Sequence, residues 1–508
     1  MQERRMPNMQ ECPFRMDAAG RDIQGEAERV RRAGPAVRIE LPGGVPAWAV
    51  ADPEAMRRLL ASPDVSKDAV RHWPAWTNGE VPQDWALAMW VSIRSMFTAY
   101  GPEHTRLRKL VSSAFTAHRT KALEPVVRRI AAELLDEIAE LPAGRPLDLR
   151  ARFAVPLPAR LICELFGVPR ERRDELCAIF DCLFDTSADA AAVGRAAAEL
   201  YGILHELVAA KREFPGDDLT SGLVLRQRET LEQSDEAPLD DQELLDTLVH
   251  LLSAGYETTV NLIDHAVHAL LTHPEQLQLV LAGRASWEDV VEETLRWEPA
   301  AANLMLRYAV QDIDLGDVVI PRGEAIVLSV AGAGRDPGTH GDDADRFDIT
   351  RPSRRAHLAF GHGVHHCLGA PLARMEGVIA LSALFERFPG LCLAVPSGAL
   401  RPVASFISNG HQELPVLVGA PAPAVPSAGR ASAGGGRLSG RTREGAAASR
   451  PRPLGGTAVV RRVRGVPWIW HRNVASPRWM PVTSTARAPG DHAGIARAST
   501  KHGASNST

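Results

Sequence analysis

Ten residues constrain this chain more than any other stretch: Phe360-Gly361-His362-Gly363-Val364-His365-His366-Cys367-Leu368-Gly369. Glycines at 361 and 363 permit turns in which a side chain would clash. Gly369 leaves room for a flat ligand or a neighbouring helix. From Leu368 to Phe388 the residues favour helix, with Pro371 in the first turn, where a missing N–H costs little. The stretch reads as a tight loop that presents Cys367 and then opens a helix. Unpaired N–H groups and the helix dipole at that position favour a thiolate, which is a metal ligand or a nucleophile. His357, His362, His365 and His366 crowd the cysteine, but a zinc site wants paired ligands on two arms, and the sequence offers no second arm. A buried structural cysteine is the plainer alternative.

The spacing Phe-x-x-Gly-x-x-x-Cys-x-Gly resembles the heme-ligand signature of the cytochromes P450 at every fixed position. With 13 Phe, 41 Gly and 6 Cys in 508 residues, an accidental match is expected in roughly one chain in a thousand. The resemblance implies a mainly α fold with a smaller β-rich region and heme b (iron protoporphyrin IX) between a long central helix and the cysteine loop. It makes Cys367 the axial ligand of the heme iron.

Further motifs follow in family order. His104 and Arg108 share one face of a helix over Glu103–Phe115, and the resemblance makes them contacts of the heme propionates, joined by Arg307 and His357. Asp240 to Thr272 reads as the longest helix, opened by the capping box Asp240-x-x-Glu243 and closed before Pro274. In its middle Ala254-Gly255-Tyr256-Glu257-Thr258-Thr259 breaks helix propensity, so a local distortion is expected there. The resemblance assigns Glu257 and Thr258 the acid–alcohol pair that delivers protons to the distal side. Glu293 and Arg296, three apart on a helix over Trp287–Trp297, form the family's buried pair. Arg346 is the first candidate for its third member and Arg351 the second. Relatives often read Ala-x-x-Asn-Arg-Asp where this chain has Gly334 before Arg335-Asp336, a change expected to alter a turn. The expected substrate pocket comprises Leu251, Ala254, Ala300, Leu304, Phe406 and Ile407. Trp73, Trp76, Trp85 and Trp90, and Ile179, Phe180, Leu183 and Phe184, are open between packing and ligand contact.

The six cysteines form no C-x-x-C pair, which argues against a disulfide framework and suits a reducing cytoplasm. No run of 18 apolar residues exists, so no membrane anchor is expected. The net charge of −4 conceals an asymmetry, since residues 421–508 carry 14 Lys and Arg against two acids. Residues 1–419 are expected to form the catalytic domain. Residues 420–508, rich in Arg, Ala, Pro and Gly, read as a disordered tail with no specific nucleic-acid role.

The resemblance is to soluble actinobacterial members, which implies a monooxygenase. One atom of O2 enters a C–H bond of an apolar molecule such as a steroid, a macrolide or other polyketide, or a terpenoid. Electrons come from NAD(P)H through a separate ferredoxin reductase and ferredoxin, because the chain carries no flavin or nicotinamide fingerprint. A peroxide-driven peroxygenase and a non-catalytic heme sensor are the alternatives. Glu257-Thr258 speaks against both.

Overall fold

The computed structural model describes residues 14–419 apart from 83–84, 113–114, 143 and 234–236. Residues 420–508, read above as a tail, lie outside the described residues.

Eight helices carry the argument: α1 (Pro102–Ser112), α2 (Glu124–Ala139), α3 (Pro156–Phe166), α4 (Arg173–Phe184), α5 (Ala190–Glu213), α6 (Asp241–Thr272), α7 (Trp287–Trp297) and α8 (Ala370–Arg387). Six strands form one sheet: β1 (Phe14–Arg15), β2 (Val37–Leu41), β3 (Val45–Val50), β4 (Val65–Ser66), β5 (Asn303–Ala309) and β6 (Ala325–Ser329), in the order β1-β2-β3-β6-β5-β4. The architecture is mainly helical with a smaller β region, as the resemblance implied.

Strands β2 and β3 form a hairpin that turns at Gly43-Gly44, both at positive φ, with Val37 opposite Ala49. Along β5 the register against β6 shifts between Leu304 and Arg307. Such an irregularity re-aims side chains, and Leu304, Met305 and Arg307 all face one cavity.

α6 begins as predicted. Asp240 accepts from the Glu243 amide at 2.7 Å, and the Glu243 carboxylate accepts from the Asp240 amide at 3.0 Å. Buried residues occur all around it, so it is a core helix and not an amphipathic one. It packs against α3, α5, α7 and α8. The expected distortion does not occur: residues 241–272 are helical without interruption. Gly255 serves packing instead, since a Cβ there would lie 2.7 Å from the Ile162 side chain of α3.

Three of the four open tryptophans are packing residues. Trp73 stacks on Trp76 and Tyr308 and meets Trp85 edge-on. Only Trp90 reaches the main cavity, with Leu183 and Phe184 of α4 beside it. Ile179 and Phe180 are buried in the helical core.

Gly334 has a specific reason. A Cβ at this position would stand 2.1 Å from the Arg296 carbonyl oxygen, while the Gly334 carbonyl accepts from the Arg296 guanidinium at 2.7 Å. Here the turn admits no side chain. Gly334→Ala is expected to lower stability by about 2 kcal/mol or more through forced separation of these segments, read as a drop in the urea midpoint.

Candidate functional site

The cysteine loop is built as its sequence suggests. Gly361 and Gly363 take positive φ of 70° and 69°, and a Cβ at 363 would lie 2.4 Å from the Leu60 carbonyl oxygen. The Gly361 amide donates to Leu358 at 2.8 Å, and the Cys367 amide donates to Phe360 at 2.9 Å. α8 then starts at Ala370.

Cys367 opens onto a cavity of about 310 Å³ between this loop and α6. Burial pushes its thiol up; the amides of Gly369 and Ala370 and the cations Arg108 and Arg374 oppose this without prevailing. The expected thiolate therefore needs more than the loop. A metal cation at the sulfur would supply it, since a coordinating thiol is deprotonated outright.

Lys67, Arg108, Arg307 and His365 share the cavity wall. Among the described residues no carboxylate is in ion-pair contact with Lys67, Arg108 or Arg307. Lys67 has its ammonium 3.3 Å from the centre of the Phe97 ring, and burial drives its pKa well down. Burial also pushes Arg307 down to about 10, with no opposing charge. Arg108 donates to the His366 carbonyl at 2.7 Å. Buried cations without counter-charge are costly, and a ligand bearing carboxylates would answer them.

His104 is buried behind the wall, its ring 4.1 Å from that of His365. Its Nε2 has no partner among the described residues, and burial pushes its pKa down to about 4. His357 is not available to a propionate. One ring nitrogen meets the Glu292 carboxylate at 3.0 Å and the other accepts from the Ala359 amide at 3.2 Å. Lys67 and His365 stand on the cavity wall instead. His365 stands inside the motif and was legible there; Lys67 carries no sequence signal.

On the α6 side, Leu251, Ala254 and Thr258 line the cavity, with Ala300, Leu304 and Ile407 from neighbouring segments. Phe406, the sixth pocket candidate, does not. It is fully buried in an apolar cluster with Tyr308 and Leu306, and Ile407 at the edge of that cluster is the one that also reaches the cavity. The Thr258 hydroxyl donates to the Ala254 carbonyl at 2.6 Å.

Glu257 faces the other way. It lines a second cavity of about 460 Å³ with Asp148, Arg150, Asp181 and Ser408. Ser408 and Asn261 donate to its Oε1, and burial pushes its pKa up. The two neighbours of one helical turn thus open onto two cavities.

Sequence reasoning missed Glu376. This buried acid of α8 lines the main cavity, and burial alone pushes its pKa up to about 8. An acid between Met375 and Gly377 in an apolar run was the available signal.

α7 holds the segment that leads to the cysteine. Arg296 donates to Glu293 at 2.8 and 2.7 Å, and to the carbonyls of Gly334, Ala344 and Arg346 at 2.7, 2.7 and 2.8 Å. The guanidinium that completes the pair is Arg351, 3.5 Å from Glu293. Arg346 contributes only its backbone carbonyl, and its side chain is exposed. The adjacent Glu292 binds His357 and Arg374, and Asp289, one turn earlier, binds Arg354.

A cavity bounded by a cysteine loop, uncompensated cations and a buried helix with an acid–alcohol pair defines a heme-thiolate protein. The chain belongs to the cytochrome P450 family, whose profile matches residues 46–281 and 287–392. It is 43% identical over 406 residues to the 2-hydroxy-5-methyl-1-naphthoate 7-hydroxylase of Streptomyces carzinostaticus, covering 80% of this chain and 97% of that one. It is 37% identical over 379 residues to the 6-deoxyerythronolide B hydroxylase of Saccharopolyspora erythraea, covering 73% and 90%. The solved structure of CYP154A1 from Streptomyces coelicolor A3(2) shares 53% identity at a TM-score of 0.75, covering 80% of this chain and all of that one. The chain is a P450 monooxygenase with a heme-iron cofactor. Among the described residues no helix is long and apolar enough to cross a membrane.

Removing Arg351 leaves Glu293 short of a buried partner, whereas Arg346 loses only an exposed side chain. Arg351→Leu is expected to cost about 3 kcal/mol and Arg346→Leu within about 0.5 kcal/mol, compared by chemical denaturation.

Burial raises the Glu292 carboxyl, but hydrogen bonds from His357 and Arg374 outweigh it and hold the pKa at about 2. A depressed carboxylate stabilises the fold fully above its unfolded value of about 4.5 and loses this as pH falls through about 2. Denaturation midpoints of Glu292→Gln should therefore lie below wild type at pH 7, with the gap narrowing as pH drops below 4.5.

Proposed function

We propose that Cys367 holds heme b and that the enzyme hydroxylates an apolar small molecule, with a polyketide favoured over a steroid or terpenoid. What carries this reading is the placement of Thr258 and Glu257: the alcohol on the wall of the cavity that Cys367 shares, the acid on a second cavity behind it. The relatives named for 2-hydroxy-5-methyl-1-naphthoate and 6-deoxyerythronolide B favour the polyketide.

The bound heme supplies oxygen activation, with the thiolate favouring O–O cleavage. One oxygen atom enters the substrate C–H bond and the other leaves as water, consuming two electrons and two protons. Lys67, Arg108 and Arg307 would neutralise the heme carboxylates, His365 would donate a hydrogen bond to one of them, and His104 supports His365. Leu251, Ala254, Ala300, Leu304 and Ile407 orient the substrate by apolar contact and keep water from the reacting carbon. The Thr258 hydroxyl donates a proton on the distal side. Glu257, kept protonatable by burial, resupplies it from the second cavity, with Ser408 and Asn261 fixing its carboxyl. Glu293, Arg296 and Arg351 keep the loop in place and take no part in the chemistry. The electrons come from NAD(P)H through a separate ferredoxin reductase and ferredoxin.

The reduced, carbon-monoxide-treated protein is expected to absorb near about 450 nm, with the band absent in Cys367→Ala. Thr258→Ala should keep this band and the substrate-induced spin shift, while product formed per NAD(P)H falls about 10²-fold. Unchanged product per NAD(P)H in Thr258→Ala and in Glu257→Gln would remove the pair from the proton route, and product formed with hydrogen peroxide but not with NAD(P)H, reductase and ferredoxin would transfer the assignment to the peroxide-driven alternative.

A further inference from the structure

Beyond the heme pocket, three histidines converge on the far half of α6. His265 and His268 lie three apart on one face of the helix, and His411 comes from the turn after Ile407. The His411 ring lies 5.1 Å from that of His265 and 4.7 Å from that of His268. One potential ligand nitrogen from each residue stands within 4.8 Å of the other two.

A lone buried histidine is ordinarily hydrogen-bonded through at least one nitrogen. His265 is only 4% exposed, yet neither Nδ1 nor Nε2 has a partner among the described residues. An imidazole in that condition is either a cost to the fold or a ligand for something the fold accepts.

The surroundings favour the second reading. Asp264 holds His411 twice, accepting from its backbone amide at 2.8 Å and meeting its Nδ1 at 2.9 Å. This presents the other ring nitrogen of His411 outward, oriented by a carboxylate as in carboxylate–histidine–metal sites. Oδ1 of Asp264 is itself buried without a partner. The nearest counter-charge to Asp264 besides His411 is Arg150, 3.8 Å away.

We propose that His265, His268 and His411 form a binding site for a borderline divalent cation of the Zn²⁺ type, with Asp264 orienting His411. Imidazole-only ligation suits zinc, nickel, cobalt or copper and not calcium or magnesium. Tetrahedral coordination at about 2.0–2.1 Å brings the nitrogens to about 3.3 Å from one another. The half-buried His268 ring closes that gap by leaving its 2.8 Å contact with the Ser397 hydroxyl, and the fourth position is left to water. Such an ion would pin the His411 turn to α6. The same turn carries Ser408, which holds Glu257, and Ile407, which lines the heme cavity. The site thus clamps a loop of the pocket without touching the reacting atoms.

The test is calorimetric titration of the chelator-treated, heme-loaded full chain with Zn²⁺, checked by elemental analysis after dialysis. Wild type is expected to retain one zinc per chain beyond the heme iron and to melt at higher temperature with zinc than with chelator. His268→Gln/His411→Gln should lose that equivalent and the thermal shift while keeping the band near 450 nm. Asp264→Asn should weaken it roughly 10–100-fold and decides the matter if the double variant does not keep its heme. Zinc uptake of equal stoichiometry and affinity in wild type and in the variant that keeps its heme, or no retention by wild type, overturns the proposal.

Discussion

Arg296 is the residue on which the rest of the site depends. Its guanidinium is completely buried, and it meets one carboxylate and three backbone carbonyls drawn from residues 334, 344 and 346. A buried charge persists only when every donor is satisfied. Its demand for partners therefore fixes the path of the chain that runs on to Cys367. Glu293 extends the constraint to the Asp348 amide, and Glu292, one position earlier, reaches His357 and Arg374 on either side of the cysteine. The geometry of the sulfur is thus set from behind, by groups that never meet a substrate.

On the distal side the controlling element is α6. Burial on all sides makes it a wall between two cavities and not the cover of one. Adjacent residues on a helix point about 100° apart, so a single acid–alcohol pair reaches both spaces. Thr258 meets the apolar cavity and Glu257 the polar one. The helix needs no break to do this, and Gly255 is spent on close contact with Ile162.

The cationic wall shows the same economy. Lys67 follows a two-residue strand, Arg307 comes from an irregular strand, Arg108 from α1 and His365 from the cysteine loop. Lys67 and Arg307 are buried and Arg108 and His365 half-buried, none of them in ion-pair contact with a carboxylate among the described residues. Their cost to the protein alone is the physical basis for assigning them to a ligand that brings its own carboxylates.

Much of this was written locally. The cysteine loop needs glycine at two positive φ angles and a helix start, and such requirements are met by neighbours in the chain. The capping box of α6, the hairpin at Gly43-Gly44 and the i, i+3 pair Glu293–Arg296 are local in the same sense. What tertiary structure decided was which of several chemically equivalent residues arrives. Arg351 and not Arg346 reaches Glu293, because the turn between them exposes one side chain and buries the other. His357 is consumed by Glu292, Phe406 turns into the core while Ile407 meets the cavity, and Lys67 enters from over two hundred residues before α7. Periodicity and spacing specify a side chain's direction only within its own helix or strand. The partner across the core depends on how separate elements pack, and that information is distributed over the whole chain.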